Sequence, residues 1–214
     1  MLRINVGCGA SPTPGWVNLD NSLSVRIGGL RNRALREAVC RLIGGRSQYA
    51  RFAHEHGIGF VDVAGPLPYA DSTVAVVYSS HMLEHLTRET AGRFLNEAFR
   101  VLEDGGIIRL VVPDLGEIVK TYERDQDADH FVGSLKMAYP SGSTRRERLR
   151  ELVVGFRAHR WMYDAASLTA LLTAAGFKDA TVLSPGETTI DDPGALDLHE
   201  REGGSLYVEA YKAR

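Results

Sequence analysis

The chain has 214 residues, 44% hydrophobic and 24% charged, the usage of an ordinary soluble domain with enough apolar material for one sizeable core. Lys and Arg number 25 against 27 Asp and Glu, a net charge of −2, which argues against a protein that holds nucleic acid by bulk positive charge. Two cysteines, Cys8 and Cys40, cannot build a disulfide framework, and no apolar run approaches membrane-spanning length, so a cytoplasmic protein is expected.

The opening segment, Leu2 to Val6, lacks the long apolar stretch of a signal peptide and reads as a first strand running into the turn Gly7-Cys8-Gly9-Ala10-Ser11-Pro12-Thr13-Pro14-Gly15. Trp16 to Leu19 is a second short strand, ending at Asp20. Leu30, Ala34, Leu35, Ala38, Val39, Leu42 and Ile43 recur at helical spacing up to Gly44-Gly45, and residues 46–57 suggest a second short helix. Ile58 to Val63 and Val74 to Tyr78 read as strands, the latter β-branched enough for burial on both faces. A helix is predicted from about Ser80 to Leu86. The next carries one apolar stripe, Ala91, Phe94, Leu95, Ala98, Phe99 and Leu102, and turns at Glu103-Asp104-Gly105-Gly106 into a strand from Ile107 to Val112. Residues 117–158 read as a polar, partly helical insertion. Asp164 is placed to cap a helix carrying Leu168, Leu171 and Leu172 and ending at Gly176. Ala180 to Leu183 and Leu206 to Tyr211 are the last strands, joined by a Gly-, Pro- and Asp-rich link at 184–205.

Strands alternating with helices predict an α/β fold, a mainly parallel sheet with helices on both faces and a terminal antiparallel strand pair. Ligands in such sheets sit at the carboxyl ends of the strands, where the strand order reverses. Gly7 and Gly9 lie at one such end, and their missing Cβ lets backbone approach a ligand. Asp20 ends the second strand, where a carboxylate can accept hydrogen bonds from both hydroxyls of a ribose. Three residues after Gly9 stands Pro12, so the dinucleotide fingerprint is absent, as is a phosphate-binding GxxxxGK[ST] loop. A nucleoside without pyrophosphate accounts for both absences.

Taken in order, Asn5-Val6-Gly7-Cys8-Gly9, Gly15-Trp16-Val17-Asn18-Leu19-Asp20, Asp62-Val63 with Leu67-Pro68-Tyr69-Ala70-Asp71-Ser72, Val77-Tyr78-Ser79-Ser80-His81-Met82-Leu83-Glu84-His85-Leu86, and Glu97 to Gly106 leading into Arg109-Leu110-Val111-Val112-Pro113-Asp114-Leu115 form a series. In that series the chain resembles the class I (Rossmann-like) S-adenosylmethionine-dependent methyltransferases, over most of residues 1–115 and again at 159–177. The resemblance implies a seven-stranded sheet with the methyl donor across the ends of the first four strands. It implies that Gly7, Cys8 and Gly9 approach the donor's amino acid part, that Asp20 binds its ribose, that Asp62 and Val63 face its adenine, and that Ser79 and His81 lie near the sulfonium. The family often has an acidic residue where this chain has Asn5, and an amide cannot neutralise the donor's cationic end. The short spacing from Gly9 to Asp20 leaves little room for the usual first helix, so residues 21–57 are expected to cover the donor instead. Cys8 reads as a small packed residue with no base beside it, not as a nucleophile.

Methyl transfer aligns an acceptor atom in line with an activated methyl and, for a hydroxyl, removes a proton. Histidine is the natural base near neutrality, which nominates His81 and, in Phe156-Arg157-Ala158-His159-Arg160-Trp161-Met162-Tyr163, His159. His81, Glu84 and His85 stand at i, i+3 and i+4, one face of a helix, a pattern able to hold a divalent ion. It is similar to the Glu-x-x-Glu-His element of small-RNA 2′-O-methyltransferases and ubiquinone-pathway O-methyltransferases, where a distant His, here His159, completes a metal site. With His81 in place of Glu, a metal-free site is preferred on the sequence. Trp161, Tyr139 and Tyr163 are candidates to stack on a sugar or aromatic ring, and Arg145, Arg146, Arg148 and Arg150 form either a solvated helix face or a phosphate contact.

The expectation is therefore one domain over residues 1–214, with insertions at about 21–57, 117–158 and 184–205 forming the acceptor side. It would transfer a methyl group from S-adenosylmethionine, leaving S-adenosylhomocysteine, to a small-molecule or glycan hydroxyl such as that of a sugar or a polysaccharide or natural-product precursor. Alternatives are N- or C-methylation of another metabolite, or a non-catalytic donor-binding subunit. No nucleic acid partner and no membrane span are expected, and the chain would be a monomer or homodimer.

Overall fold

The computed structural model describes residues 1–30, 32–43, 47–137 and 158–213. Among them β1 (Arg3–Val6), β2 (Val17–Asp20), β3 (Gly59–Phe60), β4 (Val74–Ser80), β5 (Leu102–Pro113), β6 (Lys178–Leu183) and β7 (Ser205–Tyr211) form one sheet. Its order is β3-β2-β1-β4-β5-β7-β6. The first five strands are parallel, and β7 runs antiparallel to both β5 and β6, as the sequence predicts. The order reverses between β1 and β4, so a crevice opens at the carboxyl ends of these two strands.

No helix joins β1 to β2. Residues 7–16 make the return as an extended, proline-rich segment, which suffices because each strand is only four residues long. Asn18 pins that segment, accepting from Thr13 N at 2.8 Å and donating to Thr13 O at 2.9 Å. Helices α1 (Leu23–Gly28), α2 (Arg33–Ile43) and α3 (Ser47–Glu55) follow β2. Val25 of α1 and Ala53 of α3 bury against Cys8 and Ile58, with Tyr49 and Phe52 beside them. The predicted strand over residues 58–63 shrinks to two residues because β2 ends at Asp20 and leaves nothing further to pair.

Helix α4 (Arg88–Val101) is capped by Thr87, whose hydroxyl accepts from Thr90 N, and buries Ala91, Phe94, Leu95, Ala98 and Val101 on one stripe. It packs on the face of the sheet formed by Ile4, Val6, Val77, Ile108, Leu110 and Val208. Helix α7 (Ala165–Ala174) covers the same core with Leu168 and Leu172. The predicted turn at residues 103–106 does not interrupt β5; it appears as a shift of register between Val74 and Val76. Within the predicted insertion, α5 (Leu115–Asp125) and α6 (Ala128–Leu135) are helical. Tyr139 and the arginines 145, 146, 148 and 150 lie outside the described residues.

The opposite face buries Val76, Tyr78, Ile107, Val111 and Tyr207 under Ile190 and Leu196 of the β6–β7 connection, with Trp16 alongside. Arg109 and Glu209, cross-strand partners buried to 0% and 1% exposure, fasten this connection down. Arg109 Nη1 donates to Glu209 Oε1 at 2.6 Å and to Glu187 O at 2.9 Å. Thr188 Oγ1 donates to the same carboxylate at 2.6 Å, the Thr189 N–H at 2.7 Å, and the Thr189 hydroxyl adds a further bond. A two-residue ion pair thus organises a connection that has no secondary structure of its own.

Candidate functional site

The parallel register brings Gly7, Asp20 and His81 to one edge of the sheet, since each follows or ends a strand pointing the same way. Ser205, the first residue of antiparallel β7, pairs with Pro113 at that same edge. The two glycines at the tip of β1 differ in role. Gly7 has φ +78°, and a Cβ there would sit 2.5 Å from Met82 Cγ, so its side is already filled by protein. Gly9 has φ +51° and nothing within 4 Å of where a Cβ would project, so it faces open space.

Asp20 is buried and holds the loop from beneath: Oδ2 accepts from Gly9 N at 3.2 Å and Oδ1 from Ser22 N at 2.8 Å. Tyr49, on α3, donates its hydroxyl to Gly9 O at 2.8 Å. Burial, reinforced by the Asp20 carboxylate, pushes its phenol above the ordinary tyrosine range, so it stays a donor. Sequence reasoning expected residues 21–57 over this loop but not this residue, because nothing local marks a helix tyrosine as a partner for a carbonyl forty positions away. Cys8 is buried and its thiol is pushed up to about 12, chiefly by burial and then by Asp20, which leaves it inert. Asn5 is buried; its Nδ2 donates to Thr13 Oγ1 at 3.1 Å, while its Oδ1 has no hydrogen-bond partner among the described residues.

Asp62 is exposed and accepts from Ala64 N at 3.0 Å, the geometry of a turn carboxylate, and Val63 beside it is buried in the main core. Ser79 is buried and donates to Val6 O at 2.8 Å, which spends its only proton on joining β4 to β1. The bond from Ser79 across to β1 has no signal in the local sequence.

The predicted helix from Ser80 to Leu86 is not formed. β4 continues to Ser80, His81 turns the chain at φ +48°, and a single 3-10 turn spans Leu83–His85. A histidine in the left-handed region is uncommon, and this one is fixed by its own N–H donating to Val111 O at 2.8 Å. His81 is therefore not on a helix face with Glu84 and His85. Its ring nevertheless reaches Glu84, with Nδ1 3.2 Å from Oε1, and its Nε2 lies 3.0 Å from Ser205 Oγ. Ser205 also donates to Arg201 O at 2.9 Å. That hydroxyl, 124 residues away in sequence, had no signal in the local pattern.

Glu84 is wholly buried. His85 Nε2 is 3.9 Å from its Oε1, and the His85 and His159 rings meet edge to face at 5.2 Å. Glu84, His85 and His159 each offer a ligand atom, all within 4.8 Å of one another. Burial is the main cause that holds His159 below the ordinary histidine value, against the pull of Glu84, so its ring is neutral near pH 7. Tyr163 is wholly buried and packs in the core instead of facing a ligand, whereas Trp161 is exposed with the Arg88 guanidinium 5.2 Å from its ring centre.

The Methyltransferase domain family matches residues 33–110, from α2 into β5. A protein of Mycolicibacterium smegmatis named a probable S-adenosylmethionine-dependent methyltransferase is 29% identical over 169 residues, 79% of this chain and 50% of that protein. Over these residues the chain is similar to S-adenosylmethionine-dependent methyltransferases. It spans half the length of that curated relative. Two solved structures, both of methyltransferases, are similar in fold. An S-adenosylmethionine-dependent methyltransferase of Thermotoga maritima is 15% identical with a TM-score of 0.52, covering 99% of this chain and 81% of that one. A chain from the Haloferax volcanii complex of a methyltransferase with the Trm112 activator is 16% identical with a TM-score of 0.51, covering 100% and 82%.

S-adenosylmethionine is the cofactor of the methyltransferases to which the chain is similar, and the edge described above suits it. Gly9 opens onto free space, Asn5 carries a buried acceptor in need of a donor, and each Asp20 oxygen accepts only one backbone N–H and has lone-pair capacity left.

Proposed function

We propose that the chain transfers the methyl group of S-adenosylmethionine to a hydroxyl of a small-molecule or glycan acceptor, such as a sugar in a polysaccharide or natural-product precursor. The observation that carries this reading is the convergence, on one sheet edge, of the open Gly9 loop clamped by Asp20 and Tyr49 with a histidine whose Nε2 already sits 3.0 Å from a hydroxyl oxygen. In it Gly7, Cys8 and Gly9 carry the backbone against the donor's amino acid part, Asp20 accepts from its ribose, and Asp62 with Val63 borders its adenine. Ser79 fixes the spacing between β1 and β4 beneath it. S-adenosylmethionine, when bound, supplies an electrophilic methyl group on a positively charged sulfur.

His81 then takes the acceptor's proton. Its Nδ1 faces the Glu84 carboxylate and its Nε2 the Ser205 oxygen, whose own proton goes to Arg201 O, so the ring is held at both nitrogens, and an acceptor hydroxyl that takes the place of Ser205 would meet Nε2 once that nitrogen is unprotonated. His159 is the weaker candidate base, because its Nδ1 lies 3.3 Å from Met162 Sδ and its ring is buried. Residues 21–57 close the donor side, and residues 117–158 and 184–205 supply the acceptor side of a single domain working in the cytoplasm.

The test is incubation of cell extract and purified protein with a donor carrying a deuterated methyl, followed by mass spectrometry. A labelled small molecule or glycan supports the reading, and a label on nitrogen or carbon would replace O-methylation by the corresponding chemistry. Calorimetry showing no binding of S-adenosylmethionine would overturn it outright.

A further inference from the structure

Asn5 brings an unanswered oxygen to the crevice. It is 1% exposed, and its Oδ1 has no hydrogen-bond partner among the described residues. A buried carbonyl left in that state is unfavourable, so it marks a place where a donor belongs. Side chains alternate between faces along a strand. Ile4 and Val6 of β1 enter the core under α4, so Asn5 projects to the opposite face. Its register partner on β4 is Tyr78, which lies on that same opposite face with Val76, Ile107 and Tyr207.

The Tyr78 hydroxyl ties a carboxylate to this place, donating to Glu200 Oε2 at 2.5 Å. Burial, then the Glu200 charge, holds the phenol above the ordinary tyrosine range, so it remains the donor. Glu200 is half-buried and belongs to the β6–β7 connection, where its backbone O accepts from the Tyr207 hydroxyl at 2.9 Å. Among the described residues its Oε1 accepts no hydrogen bond and its carboxylate has no ion-pair partner. Arg109, the register partner of Tyr78 on β5, is already paired with Glu209. Burial first, and then the Asp20 and Glu200 carboxylates, raise the Cys8 thiol, so the Glu200 charge is felt at the glycine loop itself. An unbalanced carboxylate and an unanswered amide oxygen therefore converge beside the open backbone of Gly9.

We propose that Glu200 is the counter-charge for the cationic end of S-adenosylmethionine, its Oε1 and Asn5 Oδ1 together accepting from the donor's α-ammonium group. This rests on the reading that the chain binds that donor. An ammonium brings several N–H bonds and a full positive charge, and it carries no acceptor, so it answers both oxygens at once. Asn5 alone can accept from it but cannot balance its charge. Glu200 supplies the balance, and hydrogen bonds between charged partners are about twice as strong as neutral ones. Tyr78 acts through Glu200 and is a positioning residue that holds the carboxylate against the sheet. The β6–β7 connection thereby gains a role: pinned by Arg109 and Glu209, it carries one negative charge to the tips of β1 and β4.

The experiment titrates the full chain in a calorimeter with S-adenosylmethionine, S-adenosylhomocysteine and 5′-methylthioadenosine. The last keeps adenine and ribose but has no amino acid part. Glu200→Gln is expected to weaken the first two by about tenfold or more and to leave methylthioadenosine within about twofold. Tyr78→Phe is expected to give the same pattern at smaller amplitude. An equal loss for all three ligands would make Glu200 a structural residue and overturn the proposal, as would unaltered affinity for the first two. A loss confined to S-adenosylmethionine would place Glu200 beside the sulfonium and overturn the ammonium assignment. Should Glu200→Gln not fold, the unaltered chain decides. It is expected to bind S-adenosylhomocysteine about tenfold or more tightly than the analogue lacking the amino group, and equal binding overturns the proposal. An unaltered chain that binds none of these ligands would instead overturn the donor reading, and the proposal with it.

Discussion

Asp20 and Gly7 show how differently two residues of one motif can act. Asp20 holds the glycine loop through Gly9 N and the start of α1 through Ser22 N, so its removal disturbs the loop as well as any ribose contact. Asp20→Ala is expected to weaken S-adenosylmethionine binding by about 1–3 kcal/mol, the scale of lost hydrogen bonds to a charged group, and calorimetry giving unaltered affinity would remove Asp20 from the donor site. Gly7→Ala meets Met82 at 2.5 Å and a φ of +78°, so it should lower thermal stability, while the double change with Met82→Ala recovers the steric part only. His81→Ala is expected to lower turnover by about a hundredfold or more with little change in donor affinity, the signature of a base and not of a binding group. An equal loss in both would make it a structural residue.

At the scale of elements, caps and short ladders carry the site. The α7 cap is reciprocal: Ser167 N donates to Asp164 Oδ1 at 2.8 Å, and Asp164 N to Ser167 Oγ at 3.1 Å. The Ser167 bonds hold the Asp164 carboxyl below the ordinary aspartate range. Its contribution is therefore fully present above the unfolded-state value of about 4 and is lost as pH falls through the lower folded value. Asp164→Ala should cost about 1 kcal/mol at pH 7, read from urea denaturation, and that difference should vanish in acid. The helix spacing around residues 91–102 was legible because α4 lies on a single apolar surface. The predicted helix at 80–86 failed because His81 is anchored to Val111 O and the chain enters a 3-10 turn; tertiary contact with β5 overrode local pattern.

For the whole molecule, the Arg109–Glu209 pair decides whether the β6–β7 connection stays on the sheet. Burial raises the Glu209 carboxyl, and the hydrogen bonds from Thr188, Thr189 and Arg109 outweigh it, leaving it below its ordinary value. Its stabilisation is present above about pH 4.5 and is lost as acid protonates the folded form. Removing one partner strands a buried charge, so Arg109→Met should destabilise by about 3–5 kcal/mol, whereas Arg109→Met with Glu209→Leu should recover much of that loss. Chemical denaturation of the two variants checks this. A single variant as stable as the parent would mean the connection is held elsewhere, for example by Tyr78, which donates to Glu200 Oε2 at 2.5 Å.

The alternation of strands with glycine turns and striped helices was enough to give a parallel sheet with an antiparallel end and a nucleoside crevice, because periodicity and turn chemistry are local properties written residue by residue. The direct return from β1 to β2 was also readable, since ten residues leave too little chain for a helix. What each polar group does was not. That Gly9 and not Gly7 faces open space, that Ser79 spends its proton on Val6, and that Tyr49 and Ser205 join the site depend on which distant atoms arrive beside them. Hydrogen-bond satisfaction in a buried crevice is a property of the packed whole, and only the folded chain brings the rings of His81 and His85 against the buried Glu84 carboxylate.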